Sequence, residues 1–353
     1  MRRVAITGLG LASSAGEGRD AHAALLNGAP PVLDEARFAP HPVHPLAPMP
    51  FETAIPRREN RQMENWQRLG VYAAGLALDD AALRERVAGI DLTVAAGGGE
   101  RDTALDEQIL AAKPDAPGLN RMLMDGLRPT LFLAQLSNLL AGSISIVHNV
   151  AGSSRTLLGE EIAGAEAIRV AALRIAAGTS EIGLAGAGFI AERSDNLLLY
   201  AMGGGLHAGP WARLPQRQGM VLGSAAAFLT FEAADAASNP LAILSHIATD
   251  QGAPAGRPGR LARLMAGLPA ARPGRIVIST TSGAPGPTRD ELAAIGALPD
   301  VFTGNLLGHA VEAAFPMGLA LGVLAIQAGA PQVLVTGTGQ WRGEAVAMLE
   351  APA

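Results

Sequence analysis

Two adjacent carboxylates, Glu160 and Glu161, open an alanine-rich helical pattern that runs to Ala177. Successive helical residues point roughly 100° apart, so the pair does not converge on one ion, and no histidine follows within two turns. Their simplest role is to face the positive end of the helix dipole. No metal site is expected. Cysteine is absent, which excludes disulfides, cysteine-ligated zinc, iron–sulfur clusters and a catalytic thiol. The seven histidines are His22, His41, His44, His148, His207, His246 and His309, and no metal-ligand spacing links them. Gly8-Leu9-Gly10 has two glycines of a phosphate-binding turn but no third in register. Gly97–Gly99 before Glu100 and Gly203–Gly205 before His207 read as turns. No cofactor is expected.

The charge balance, 27 basic against 32 acidic residues and a net of −5, lacks the clustered basic surface that phosphate neutralisation needs. Nucleic acid is therefore not an expected partner. The opening Val4–Leu11 run is broken by Thr7, Gly8 and Gly10, which suits a buried strand and tight turn better than a signal peptide. The longest apolar stretch, 310–330, contains Glu312, Pro316 and Gln327, which argues against membrane insertion. A soluble, cytoplasmic protein is the expectation.

Short β-leaning runs alternate with long alanine-rich helical segments, the pattern of an α/β architecture. Strands are predicted over 3–7, 92–96, 156–158, 181–185, 221–231, 241–249, 275–279, 332–336 and 344–349. Helices are predicted over 18–26, 59–83, 129–141, 160–177, 260–266, 289–297 and 307–328. The helix from Glu160 is apolar all round and should lie buried between layers. Stretches 29–56, 113–118, 203–219 and 253–259 read as loops, the first and third long enough to cover a site or an interface. Two halves of similar design meet near 231–240, giving expected units of 1–235 and 236–353.

Six segments in order resemble the β-ketoacyl-acyl-carrier-protein synthases, the ketosynthases of fatty acid and polyketide assembly. They are RRVAITGLGLASSAG, the helix RQMENWQRLGVYAAGLALDDAAL, the stretch from Leu140 to Gly188, QGMVLGSAAAFLTFE, TGNLLGHAVEAAF beside the family's TGHLLGAAG, and the glycine-rich VTGTGQWRGE. The resemblance implies a thiolase-like fold, two pseudo-repeated halves in a layered αβαβα sandwich. It also implies where the family's catalytic groups should stand. An ungapped match puts the nucleophilic cysteine at Glu161; a gapped one puts Val150 there at the cost of a long insertion in a buried helix. The two histidine positions fall on Thr280 and Asn305, the lysine position on Asp300 and the acyl-gate phenylalanine near Thr338.

No catalytic position carries the family's residue. A carboxylate is a poor acyl acceptor because an anhydride hydrolyses readily, and Thr280 and Asn305 cannot supply a cation. His309, four residues after Asn305, could reach the same space. If the family fold buries Glu161, desolvation should raise its pKa.

The resemblance is strongest to the cysteine-less chain-length factors, whose EQAGGLDA-type sequence is similar to EEIAGAEA at 160–167. It implies a partner subunit without independent condensing activity, paired with an active ketosynthase in fatty acid, polyketide or aryl-polyene-type biosynthesis and served by an acyl carrier protein. Met122, Leu123, Met124, Leu131, Phe132 and Leu136 fall where family members line the pocket at the dimer interface, although each suits a core equally well. Two alternatives stand beside this. One is a malonyl-carrier-protein decarboxylase using Glu161. The other is a non-enzymatic homodimeric docking module for carrier protein, with Arg2, Arg3, Arg57, Arg58, Arg61 and Arg68 as its basic face.

Overall fold

The computed structural model describes residues 2–97, 99–128, 131 and 135–352. Its strands are β1 (Val4–Ser13), β2 (Gly16–Glu17), β3 (Val43–His44), β4 (Ile90–Ala95), β5 (Ser154–Leu157), β6 (Ile182–Phe189), β7 (Leu222–Gly223), β8 (Ala225–Ala233), β9 (Ala242–Asp250), β10 (Ile276–Ser279), β11 (Val301–Phe302), β12 (Gln332–Thr338) and β13 (Glu344–Glu350). One large sheet runs β11-β10-β12-β13-β9-β1-β8-β6-β4-β5, and β3 and β7 form a small parallel pair.

The order contains the same unit twice. In the first half β4 lies parallel to β5 and β6, then β8 and β1 follow antiparallel. In the second, β10 lies parallel to β11 and β12, then β13 and β9 follow antiparallel. The halves join through three residue pairs, Val4–Ile6 of β1 against Ala242–Leu244 of β9. Helices Glu161–Ala177 and Ala314–Gln327 pack on each other between the halves. Asn65–Asp80 and Leu139–His148 cover the first half outside; Arg257–Ala266 and Pro285–Ile295 cover the second. This is the five-layered αβαβα, thiolase-like arrangement that the sequence resemblance implies.

Small residues set the spacing of the layers. The Asn65–Asp80 helix starts at a reciprocal capping box between Glu64 and Gln67 and lays Ala73 and Ala77 against β1. A Cβ on Gly10 would stand 1.8 Å from the Ala73 carbonyl oxygen and one on Gly8 2.7 Å from that of Ala77. The Gly8-Leu9-Gly10 pair therefore serves close strand–helix packing. The Glu161 helix is buried on nearly every side, as its composition predicts, and Gly164 admits the Glu312 carbonyl, which a Cβ there would meet at 1.9 Å.

The structure differs from the expected elements in several places. The segment 307–328 is not one helix: a short turn Thr303–Leu306 is followed by Gly308 at φ +72° and Val311 at φ +44°, and the helix starts only at Ala314. Helices Thr103–Ala112, Ala116–Gly126 and Ser194–Met202 arise where none was predicted, the second beginning inside the expected 113–118 loop. Of the expected 129–141 helix, residues 135–138 are turn and irregular backbone, and the helix runs Leu139–His148; Pro129, Thr130 and 132–134 lie outside the described residues.

Candidate functional site

Residue 161 is aimed inward by a strained turn. Gly159 adopts φ +144° and Glu160, with φ 50° and ψ −130°, occupies a region that non-glycine residues rarely enter. The chain thereby turns from β5 into the central helix, and the Glu161 side chain is left 7% exposed. Its Oε1 accepts hydrogen bonds from the Gln340 backbone N–H at 2.8 Å and from His309 Nε2 at 3.2 Å. An ionised carboxylate can only accept, so Nε2 of His309 carries the proton. The His309 backbone is fixed between Val221 and Gly223: its N–H donates to the Val221 carbonyl at 2.8 Å, and its carbonyl accepts from Gly223 at 3.1 Å.

Burial alone pushes the Glu161 pKa up. The hydrogen bond and charge of His309, with backbone N–H groups of residues 161 and 340, outweigh it, and the pKa lies below its ordinary value. The expectation of a raised pKa is thus corrected. His309 is the reason.

The glycine-rich loop after β12 is tied to this helix start. Gln340 donates to Glu161, Arg342 Nε lies 3.0 Å from Glu160 Oε2, and Gly339 and Gly343 lie where a Cβ would strike Glu161 and Ile162. The remaining space beside Glu161 is about 10 Å³, roughly one water, lined also by Thr280, Phe315 and Thr338. Glu161, Thr280 and Thr338 therefore line one small space. Thr280 Oγ1 donates to the Thr336 carbonyl at 3.0 Å, while Thr338 Oγ1 is buried without a partner.

Asn305 and Asp300 do not join them. Asn305 Oδ1 accepts the Leu214 N–H at 2.7 Å, Nδ2 donates to the Leu214 carbonyl at 3.2 Å, and Arg217 Nη1 stands 3.4 Å away. Its amide clamps the 203–219 loop. Asp300 is exposed and accepts the Val277 N–H at 2.8 Å. Val150 is buried between the Leu139–His148 helix and β5, among the outer core residues of the first half. Met122 lines a shallow groove between the 103–112 and 116–126 helices, Met124 is exposed, Leu123, Leu131 and Leu136 are half-buried, and Phe132 lies outside the described residues.

A larger cavity of about 510 Å³ opens on the other side of Glu160, walled by Trp66, Phe189, Arg193, Tyr200, Val311 and Glu312 among others. Sequence reading missed Glu312, since a single acid in an apolar run carries no spacing signal. Burial, reinforced by the negative charges of Glu161 and Glu160, raises its pKa to about 7, with Arg193 opposing. A carboxyl whose folded pKa exceeds its unfolded value of 4.5 contributes stability that is full below 4.5 and lost as pH rises towards 7. At ~1.4 kcal/mol per unit the loss reaches up to about 3 kcal/mol. Denaturant titrations at pH 5 and 8 should show Glu312→Gln relieving most of this loss; equal pH slopes in both proteins would refute the assignment.

The chain matches the β-ketoacyl synthase N-terminal domain family over residues 46–237. It belongs to the β-ketoacyl synthase family, on the thiolase-like fold described above. Solved structures of like fold include the ishigamide ketosynthase/chain length factor, with a TM-score of 0.82 at 20% identity and full coverage of both chains. Another is a type II polyketide synthase acyl-carrier protein in complex with its ketosynthase bound to the hexaketide, at TM-score 0.77 and 18% identity, covering 99% of this chain and 100% of that one. A β-ketoacyl synthase from Burkholderia phymatum STM815 aligns at TM-score 0.78 and 16% identity, with 99% and 100% coverage. Comparison with curated protein sequences finds no match. Among the described residues no helix is long and apolar enough to cross a membrane, and no group of three or more acidic or histidine side chains could hold a metal ion.

Proposed function

We propose that this chain is a non-condensing, chain-length-factor-like subunit that works beside an active, cysteine-bearing β-ketoacyl synthase. The observation that carries the reading is the state of residue 161. Where the family presents a nucleophile, a carboxylate is held by His309 and Gln340 next to room for about one water. An acyl chain has no acceptor and no space at that point. The amide of Asn305 is spent on Leu214, and the His309 imidazole that does reach residue 161 is spent on the Glu161 carboxylate.

A partner surface supports the same reading. Among the described residues β5 is one end of the sheet, paired only with β4; Leu158 directly after it is exposed, as is Ile146 on the helix that packs against β4 and β5. An open edge with apolar neighbours is a template for edge-to-edge pairing, the mode by which the resembled synthases dimerise. The acyl carrier protein and the growing chain would then belong to the shared complex, working in the cytoplasm on fatty acid, polyketide or aryl-polyene-type products.

Co-expression with a cysteine-bearing ketosynthase encoded beside it should yield a stable heterodimer on size exclusion, and condensation should need both chains. Robust condensation by the purified single chain overturns the proposal. Glu161→Cys should remain inactive alone, because Thr280 and Asn305 are not imidazoles. Carbon dioxide released from malonyl carrier protein and abolished by Glu161→Ala would instead support a decarboxylase, and a homodimer that ignores every ketosynthase would support a docking module.

A further inference from the structure

The two pseudo-repeated halves differ at the middle of the sheet. In the first half the edge of β1 beyond its contact with β9 is covered: β2 pairs with Ala12 and Ser13 there, helix Gly18–Leu26 packs on β1, and all ten β1 residues are buried. In the second half β9 is the counterpart of β1. Its Ala242–Leu244 pair with β1 on one side and are buried, but among the described strands His246–Asp250 pair only with β13, and Ser245, unpaired at the bulge between them, is exposed with the following five half-buried. No described element takes the place of β2 and its helix.

The two described residues before β1, Arg2 and Arg3, do not pair with this edge. Upstream of Val4, β1 peels away from β9, because the Arg2 N–H donates to the Ala176 carbonyl at the end of the central helix, at 2.9 Å. A groove of about 410 Å³ remains at the start of this edge, beside residues 243–247, and is walled also by Arg2, Arg3, Leu173 and Ala176. Antiparallel pairing with β13 occupies the N–H and C=O of alternate residues, so the intervening ones face this groove. The six residues 245–250 span roughly 20 Å.

We propose that this groove is a docking site for an extended, acidic peptide segment of another protein, which adds to the β9 edge as an extra strand. Main-chain hydrogen bonds to the free edge give the affinity. Charge selects the occupant: Arg2 and Arg3 are exposed and, among the described residues, in no ion pair, whereas the groove's Glu350 is already paired with Arg272 at 3.1 Å. Leu173, 41% exposed, offers an apolar contact for alternate side chains of the incoming strand.

The test uses the full chain and a synthetic eight-residue peptide alternating valine or threonine with aspartate or glutamate. Hydrogen exchange should show new protection confined to amides of 245–250 and neighbouring groove residues. A proline-interrupted peptide should give none, and the exposed double variant Arg2→Glu/Arg3→Glu should weaken binding at least tenfold. Absence of protection in 245–250 at millimolar peptide overturns the proposal, as does equal binding of a neutral serine/glutamine analogue. Concentration-dependent self-association that protects the same amides without peptide would assign the edge to a second copy and overturn it too.

Discussion

Glu344→Ala will cost about 3–5 kcal/mol of folding stability, the range for breaking a buried ion pair from one side. Glu344 begins β13 with its side chain fully enclosed. Arg260 grips it with two bonds, Nε to Oε2 at 2.5 Å and Nη2 to Oε1 at 2.8 Å, and Arg257 Nε adds a third at 3.3 Å. Arg257 also reaches Asp290, at 3.6 Å, on the neighbouring outer helix. Removing the carboxylate strands two buried guanidinium groups, leaving Arg257 its pair with Asp290 and Arg260 only the more distant charge of Asp250. By contrast, alanine at Glu166, whose pair with Arg169 is part-exposed at i,i+3, should cost at most about 1 kcal/mol through that contact. Urea denaturation of both variants decides the matter. A Glu344→Ala midpoint close to that of the parent would show that the cluster holds nothing together.

His309→Leu should have the second largest effect, and it should depend on pH. In the parent protein the Glu161 pKa is depressed, so its contribution is present above the unfolded value near 4.5 and lost as pH falls through the folded value. Without His309 the carboxylate keeps only backbone donors, burial dominates, and its pKa moves above the ordinary value. The variant should therefore be about 3 kcal/mol less stable than the parent at pH 8, with the gap narrowing towards pH 5 as Glu161 takes up a proton. Glu161→Gln combined with His309→Leu should recover much of the loss, since no charge is then buried. A gap that stays constant or widens on acidification would show that His309 acts through packing alone.

Much of the scaffold was legible because its signals are local. The Glu161 helix, the alternation of strands and helices, and the order of the motifs can each be read from neighbouring residues. Hydrophobic periodicity failed at 307–328, where every position through Ile326 is buried and only His309, Glu312 and Gln327 interrupt the small and apolar residues, so nothing in the pattern marks the break. The break depends on Val311 in the left-handed region, which no preference of valine announces. It also decides the site: because the chain turns there, Asn305 faces Leu214 while His309 faces Glu161. Spacing on a continuous helix would have kept the two together. The helices Thr103–Ala112 and Ala116–Gly126 had readable starts, Asp102 and Asp115, whose carboxylates accept N–H groups of Leu105 and Gly118. Their alanine, glycine and proline content hid them. The pKa of Glu161 was out of reach because its counter-charge comes from 148 residues away.

The segment 339–343 is a short span with both piers fixed. One end is bolted to the start of the central helix through Glu160 and Glu161, and the other runs straight into the Glu344 cluster. A door needs one free side, and this one has none. Any molecule arriving at that face meets a wall whose conformational freedom was surrendered when the chain folded, so little ordering entropy is left to be lost on contact.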